Sequence, residues 1–186
     1  VTNERLADKV YPLNNNVYVL PNALPYGQDQ FVSEKEPDPD GKLRIFWAGG
    51  ISHEHDIRIL RNPFKRLLQF KDQIKMVIGG YSLENEYSKS IWDKMYSSFT
   101  GGDTLEGVRI EGLPPRHYMN LYRFADIMVV PLESSDWHAC KSNLKLLEAA
   151  CKGVPVIVSN VEPYSRDPDA PVLWVNKQSD WYDHLK

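Results

Sequence analysis

Along the chain, short apolar and β-branched runs alternate with longer stretches in which apolar residues recur every three or four positions. Runs of the first kind fit strands, and stretches of the second kind fit helices with one buried face. The strand pattern falls at residues 17–20, 43–48, 74–78, 108–110, 127–130, 154–158 and 172–175. The helical pattern falls at 57–70, 84–98, 115–124, 143–152 and from 179 onward. The runs Ile127-Met128-Val129-Val130 and Val154-Pro155-Val156-Ile157-Val158 are apolar throughout, as strands covered on both faces require. Leu144, Leu147 and Cys151 share one face of the 143–152 helix, and Gly153 is placed to end it in left-handed backbone. Strands separated by helices call for parallel βαβ units, so the expected fold is a doubly wound, Rossmann-like α/β sheet of about six strands with helices on both faces. Turn-forming residues cluster at 37–41, 100–103 and 167–171, and none of these loops is long enough to divide residues 1–186 into two domains.

Composition narrows the class. The chain has 186 residues, 42% of them hydrophobic and 25% charged, which suits one globular core and excludes disordered and fibrous classes. A net charge of −3 argues against a nucleic-acid partner. Cys140 and Cys151 are too few for a disulfide framework and lack zinc-site spacing, so a reducing, cytoplasmic setting is expected, membrane-peripheral at most in the full-length protein. No apolar run is long enough to span a membrane. The chain opens without Met in Val1-Thr2-Asn3-Glu4, and it stops at Trp181–Lys186 in what reads as mid-helix. The expectation is therefore a single domain cut from a longer protein.

In an open parallel sheet, ligands bind beyond the carboxyl ends of the strands. That rule singles out the loops 49–55, 79–83, 112–116 and 132–142. Gly49 and Gly50 end the second strand run, where backbone can approach a ligand and offer N–H groups to phosphate. A Gly-Gly pair also serves as a plain tight turn. It is no Walker loop, since Gly-Lys-Ser/Thr is absent, and no dinucleotide fingerprint, since the third glycine is missing. His53, Glu54, His55 and Asp56 follow. The two histidines stand two apart and would point different ways, so no metal site is expected; His53 is a candidate substrate contact, and Ser52 or Asp56 a helix N-cap.

The loop 131–143 leads into a helix that begins with Ser142, Asn143 and Lys145. A helix N-terminus offers unpaired N–H groups and the positive end of its dipole, which suits phosphate. Lys141 and Lys145 lie one turn apart and oppose that dipole unless an anion sits between them. Glu148, three residues on, can accept hydrogen bonds from a diol. The competing reading is a capped surface helix with Lys145 and Glu148 as a solvated pair.

The stretch from Lys141 through Glu148-Ala149-Ala150-Cys151-Lys152-Gly153-Val154-Pro155-Val156-Ile157 resembles the donor-site signature of retaining, family-4-type glycosyltransferases (glycosyl transferases group 1). Phe124–Leu132 resembles the strand before it, Val19-Leu20-Pro21-Asn22-Ala23 the first strand of the C-terminal domain, and Ile45–Gly50 with His53 and Asp56 the second strand and its loop. The matches keep the family's order from Val17 to Ser159.

This resemblance implies the C-terminal half of a GT-B fold, which binds a nucleotide-sugar donor, while a separate N-terminal domain takes a saccharide or glycan acceptor, as in polysaccharide biosynthesis. It implies that Glu148 holds the ribose hydroxyls and that Lys145, Ser142 and Asn143 meet the sugar or diphosphate. It also implies that Gly49 and Gly50 approach the diphosphate and that the Gly112-Leu113-Pro114 loop contacts the base. Lys145 and Glu148 are the implied catalytic residues, with Lys141 and His53 beside them in the donor site. Transfer would proceed with retention, without bound metal or other cofactor, and the isolated piece would turn over little. Two positions depart from the pattern. Cys140 stands where many members carry an acidic residue, a variant with Lys-Ser-x-x-Lys in which Asp136, His138 or Lys141 could replace it, and Ala23 stands where glycine is usual. Two alternatives stay open: a non-catalytic receiver- or flavodoxin-like nucleotide or flavin module, and a degenerate transferase-like assembly domain. The first would want an acidic or phosphate-loop strand end, which Leu20-Pro21-Asn22-Ala23 does not supply.

Overall fold

The computed structural model describes residues 1–82 and 85–186. Six strands, β1 (Leu43–Ala48), β2 (Ile74–Tyr81), β3 (Gly107–Glu111), β4 (Ile127–Val130), β5 (Val156–Ser159) and β6 (Leu173–Val175), form one sheet in the order β3-β2-β1-β4-β5-β6. Every neighbouring pair is parallel. Alternate side chains of β1 serve two cores: Ile45 and Trp47 pack on one face of the sheet, Phe46 and Ala48 on the other. This two-sided burial is why the strand runs lack polar alternation. Each fully buried side chain of this size contributes about 1.5–3 kcal/mol.

Helices α1 (Glu4–Val10), α2 (Glu54–Arg58), α3 (Arg61–Lys65), α4 (Glu86–Phe99), α5 (Asp136–Ala139), α6 (Leu144–Cys151) and α7 (Asp180–Asp183) surround the sheet. The first core takes Ile57, Phe64, Trp92, Phe99 and Trp181 from α2, α3, α4 and α7, and the second takes Leu146 and Ala149 from α6. Asn85 caps α4 by accepting from the Ser88 N–H, and Gly153 ends α6 with φ 65°.

Several expectations change. Residues 17–20 form no strand of the sheet; Leu20 N–H donates to the Val1 carbonyl, and Tyr18 and Leu20 are exposed. With only Val17 and Val19 partly covered, this run lacks the two-sided apolar surface of an interior strand. The helix predicted at 57–70 is three pieces, α2, α3 and a 3-10 helix Arg66–Phe70, because Pro63 cannot donate to the carbonyl four residues back. The 115–124 helix is a 3-10 helix, Tyr118–Phe124. The helix expected from 179 onward closes within α7, where His184 turns its ring to the Trp174 carbonyl at 3.0 Å. Leu83 and Glu84, the end of the predicted 79–83 loop and the start of the 84–98 helix, lie outside the described residues.

One buried ion pair fixes the sheet centre. Arg44, at the start of β1, donates to Asp126, just before β4, through Nε at 3.0 Å, NH2 at 3.3 Å and its backbone N–H at 2.7 Å. Lys35 adds a contact at 2.6 Å.

Candidate functional site

The chain winds outward from β1 to β3, then returns to β4 beside β1 and winds the other way. The loops after β1 and β4 therefore part in opposite directions and leave a crevice beyond the sheet, the place where doubly wound folds bind ligands. At this position Trp47, His53, Pro131, Lys145 and Tyr164 line a small cavity of about 20 Å³.

On the β1 side, Gly49 N–H donates to the Gly79 carbonyl at 3.2 Å. Gly80 follows with φ 95°, and a Cβ there would stand 2.3 Å from the Gly49 carbonyl oxygen. Glycine at 80 thus lets the end of β2 touch the loop after β1. Gly50 is exposed, with no neighbouring atom that a Cβ would meet. His53 turns Nδ1 to Asp56 at 2.7 Å. Asp56 caps no helix, contrary to its sequence reading. It is 1% exposed, and its Oδ1 accepts the Glu133 N–H at 2.9 Å from the loop after β4. Nor does Ser52 cap α2, whose N-cap is His53 without a side-chain bond. His138 reaches toward the same carboxylate, Nε2 to Oδ2 at 3.8 Å, while its Nδ1 meets the Glu133 carbonyl at 2.6 Å. Burial works to raise the Asp56 carboxyl, but His53, the Glu133 N–H and His138 together hold it below the usual carboxylate range.

On the β4 side, α6 opens at Leu144 with Asn143 as N-cap, and the Asn143 side chain makes no capping bond. The N–H groups of Leu144 and Lys145 have no intrahelical partner, whereas Leu146 N–H already donates to the Asn143 carbonyl at 2.9 Å. Ser142 Oγ accepts from Asn22 Nδ2 at 2.7 Å, which ties the N-terminal segment to the entry of α6. Lys141 is half-buried, and among the described residues no carboxylate lies within ion-pair distance of it. Burial lowers its ammonium against the opposing pull of Asp56. Lys145 Nζ donates to Glu148 Oε2 at 2.9 Å and to the Tyr118 hydroxyl. The Tyr122 hydroxyl donates to the same Glu148 oxygen at 2.5 Å. Glu148 is 6% exposed, so the pair is a packed polar network and not the solvated pair of the surface-helix reading. Burial disfavours the charged Lys145, yet Tyr118 and Glu148 outweigh it and raise its affinity for the proton. Burial, with Glu148 alongside, pushes Tyr122 well up, so its hydroxyl stays a donor.

Of the expected site residues, His53 and Lys145 line this crevice; Gly49 adjoins the His53 ring and Glu148 bonds Lys145, while Gly50, Lys141, Ser142 and Asn143 lie in the loop after β1 and in the segment entering α6. Leu113 and Pro114 are exposed in the loop after β3, which is tied to β2 by Gly112 N–H donating to the Tyr81 carbonyl at 2.8 Å. Sequence reasoning missed Tyr118, Tyr122 and the bridging role of Asp56. The i, i+4 spacing of the tyrosines was the available signal. No cluster suited to a metal ion occurs among the described residues. A larger groove, lined by Arg58, Arg61, Lys89 and Lys94 with Glu54, Glu86 and Asp93 among them, shares no residue with the crevice.

A family model described as Glycosyl transferases group 1 matches residues 42–180. Among solved structures, sucrose-phosphate synthase from Thermosynechococcus elongatus is similar at TM-score 0.59 and 14% identity, covering 99% of this chain and 47% of that one. A UDP-forming alpha,alpha-trehalose-phosphate synthase from Burkholderia xenovorans, in complex with glucose-6-phosphate, is similar at TM-score 0.53 and 14% identity, covering 84% of this chain and 36% of that one. An E. coli trehalose-6-phosphate structure bound with UDP-2-fluoro glucose is similar at TM-score 0.54 and 14% identity, covering 77% and 35%. At such identities the likeness is one of fold, and the chain spans less than half the length of each. A comparison with curated proteins found no match.

Proposed function

The chain belongs to the glycosyl transferases group 1 family and has the Rossmann-like α/β architecture of its GT-B neighbours, and from that premise we propose that it is the donor-binding domain of a retaining glycosyltransferase. The observation that carries the reading is the Lys145–Glu148 network beside the open start of α6, at the switch point of the sheet. Glu148 accepts the ribose hydroxyls of a nucleotide-sugar. Lys145, Lys141 and the first N–H groups of α6, with Ser142 and Asn143, hold the diphosphate, and the Gly49–Gly50 backbone and His53 close on it from the β1 side. Leu113 and Pro114 face the base. As the bond between the anomeric carbon and the diphosphate oxygen breaks, negative charge grows on the leaving group. Preorganised cationic and N–H donors stabilise such charge in a water-poor crevice, and in this reading no metal is required.

A second, N-terminal domain would supply the saccharide or glycan acceptor, so the chain alone binds donor and turns over little. The similarity to a UDP-forming synthase and to a structure bound with UDP-2-fluoro glucose makes UDP the first probe. Melting curves with UDP, GDP, ADP and CDP test the reading: at about a hundred times its Kd, the matching nucleotide adds roughly 2.7 kcal/mol of stability. A flat response to all of them would overturn it.

A further inference from the structure

Asp56 has no place in the donor contacts above, yet it is the most deeply buried charged group at the crevice, 1% exposed. Its oxygens join two separate loops: Oδ2 meets His53 Nδ1 at 2.7 Å, and Oδ1 accepts the Glu133 N–H at 2.9 Å. The His53 bond fixes which ring nitrogen is engaged, because a carboxylate only accepts and Nδ1 must carry the hydrogen. The ring edge opposite Nδ1 runs beside the Gly49 backbone, with Cδ2 3.5 Å from where a Cβ on Gly49 would stand. His53 is 27% exposed and lines the crevice. Nε2 is thus presented where the diphosphate is expected. A neutral imidazole with hydrogen on Nδ1 offers only a lone pair at Nε2, which repels phosphate oxygen. An imidazolium offers a second donor there, with a charge on each side, the carboxylate and the diphosphate, to stabilise it.

We infer that Asp56 is a positioning residue that holds His53 for use as an imidazolium against the donor diphosphate, so that donor binding takes up a proton from solvent. The inference rests on the donor-site reading and deepens it. The proton is added at Nε2, and no covalent bond is made or broken at His53. The other charged or titratable groups facing the pair are His138 from α5, Lys141 and Lys145 at α6, and Tyr164 across the crevice; from Glu133 only the backbone N–H meets it.

Calorimetric titration with UDP, GDP, ADP and CDP, in buffers of differing ionisation enthalpy, counts the protons taken up. The nucleotide's own phosphate titration is common to wild type and variants and cancels in the comparison. Wild type is expected to take up more protons per bound nucleotide than His53→Gln or Asp56→Asn, and to lose affinity by about tenfold more than either variant from about pH 5 to about pH 8. His53→Gln lies at the partly exposed face and keeps the test alive if Asp56→Asn does not fold. Equal proton uptake in wild type and His53→Gln would overturn the inference while leaving the donor site standing. Binding of none of these nucleotides would overturn the donor reading and this inference together.

Discussion

At the scale of single residues, Glu148 carries two duties that one substitution can separate. It anchors the buried Tyr122 hydroxyl and the Lys145 ammonium, and in the proposed reading it holds ribose. Glu148→Ala strands the buried Tyr122 hydroxyl, at a cost of about 1–3 kcal/mol, and leaves the Lys145 ammonium with Tyr118 alone. Glu148→Gln keeps an acceptor for Tyr122 and gives up the charge. We therefore expect Glu148→Ala to lower both melting temperature and nucleotide affinity. Glu148→Gln should weaken nucleotide binding by about tenfold, one lost charge-assisted hydrogen bond, with a smaller stability change. Denaturant melts paired with nucleotide titrations read both quantities; an unchanged affinity in Glu148→Gln would leave Glu148 a structural residue only.

At the scale of elements, β1 and β4 set the crevice, and Arg44–Asp126 sets their starts. Asp126→Ala leaves a 3% exposed guanidinium without its main partner, for which about 3–5 kcal/mol of destabilisation is expected. The same pair gives stability a pH signature. Burial works against the Asp126 carboxylate, but Arg44 and Lys35 hold its folded-state pKa below the ordinary value. Its contribution is therefore complete above the unfolded value of about 3.9 and is lost as pH falls through the lower folded value. Chemical denaturation across that acid range should show a steeper loss in wild type than in Asp126→Ala. Parallel slopes would mean the carboxylate contributes no pH-linked stability.

Strand positions were legible because two-faced burial leaves apolar runs that no helix of that length would carry, as Ile127–Val130 shows. Helix lengths were less so. Pro63 divides a helical pattern that its flanking apolar residues continue across, and the 17–20 run has strand composition but no second face to cover it. The site divides in the same way. Lys145 and Glu148 were readable from three-residue spacing on one helix. Asp56 was not, because its partners Glu133 and His138 are distant in sequence, and only the β1–β4 adjacency brings them together.

At the scale of the whole molecule, the winding reversal between β1 and β4 is what turns separate loops into one crevice, and the central claim is that a nucleoside diphosphate lies there. Backbone amide NMR during titration with UDP, GDP, ADP and CDP locates the ligand directly. The largest shift changes are expected for the matching nucleotide at Gly49, Gly50 and residues 141–148, weaker in Glu148→Gln. Changes confined to the groove of Arg58, Arg61, Lys89 and Lys94, or no changes with any of these nucleotides, would contradict it.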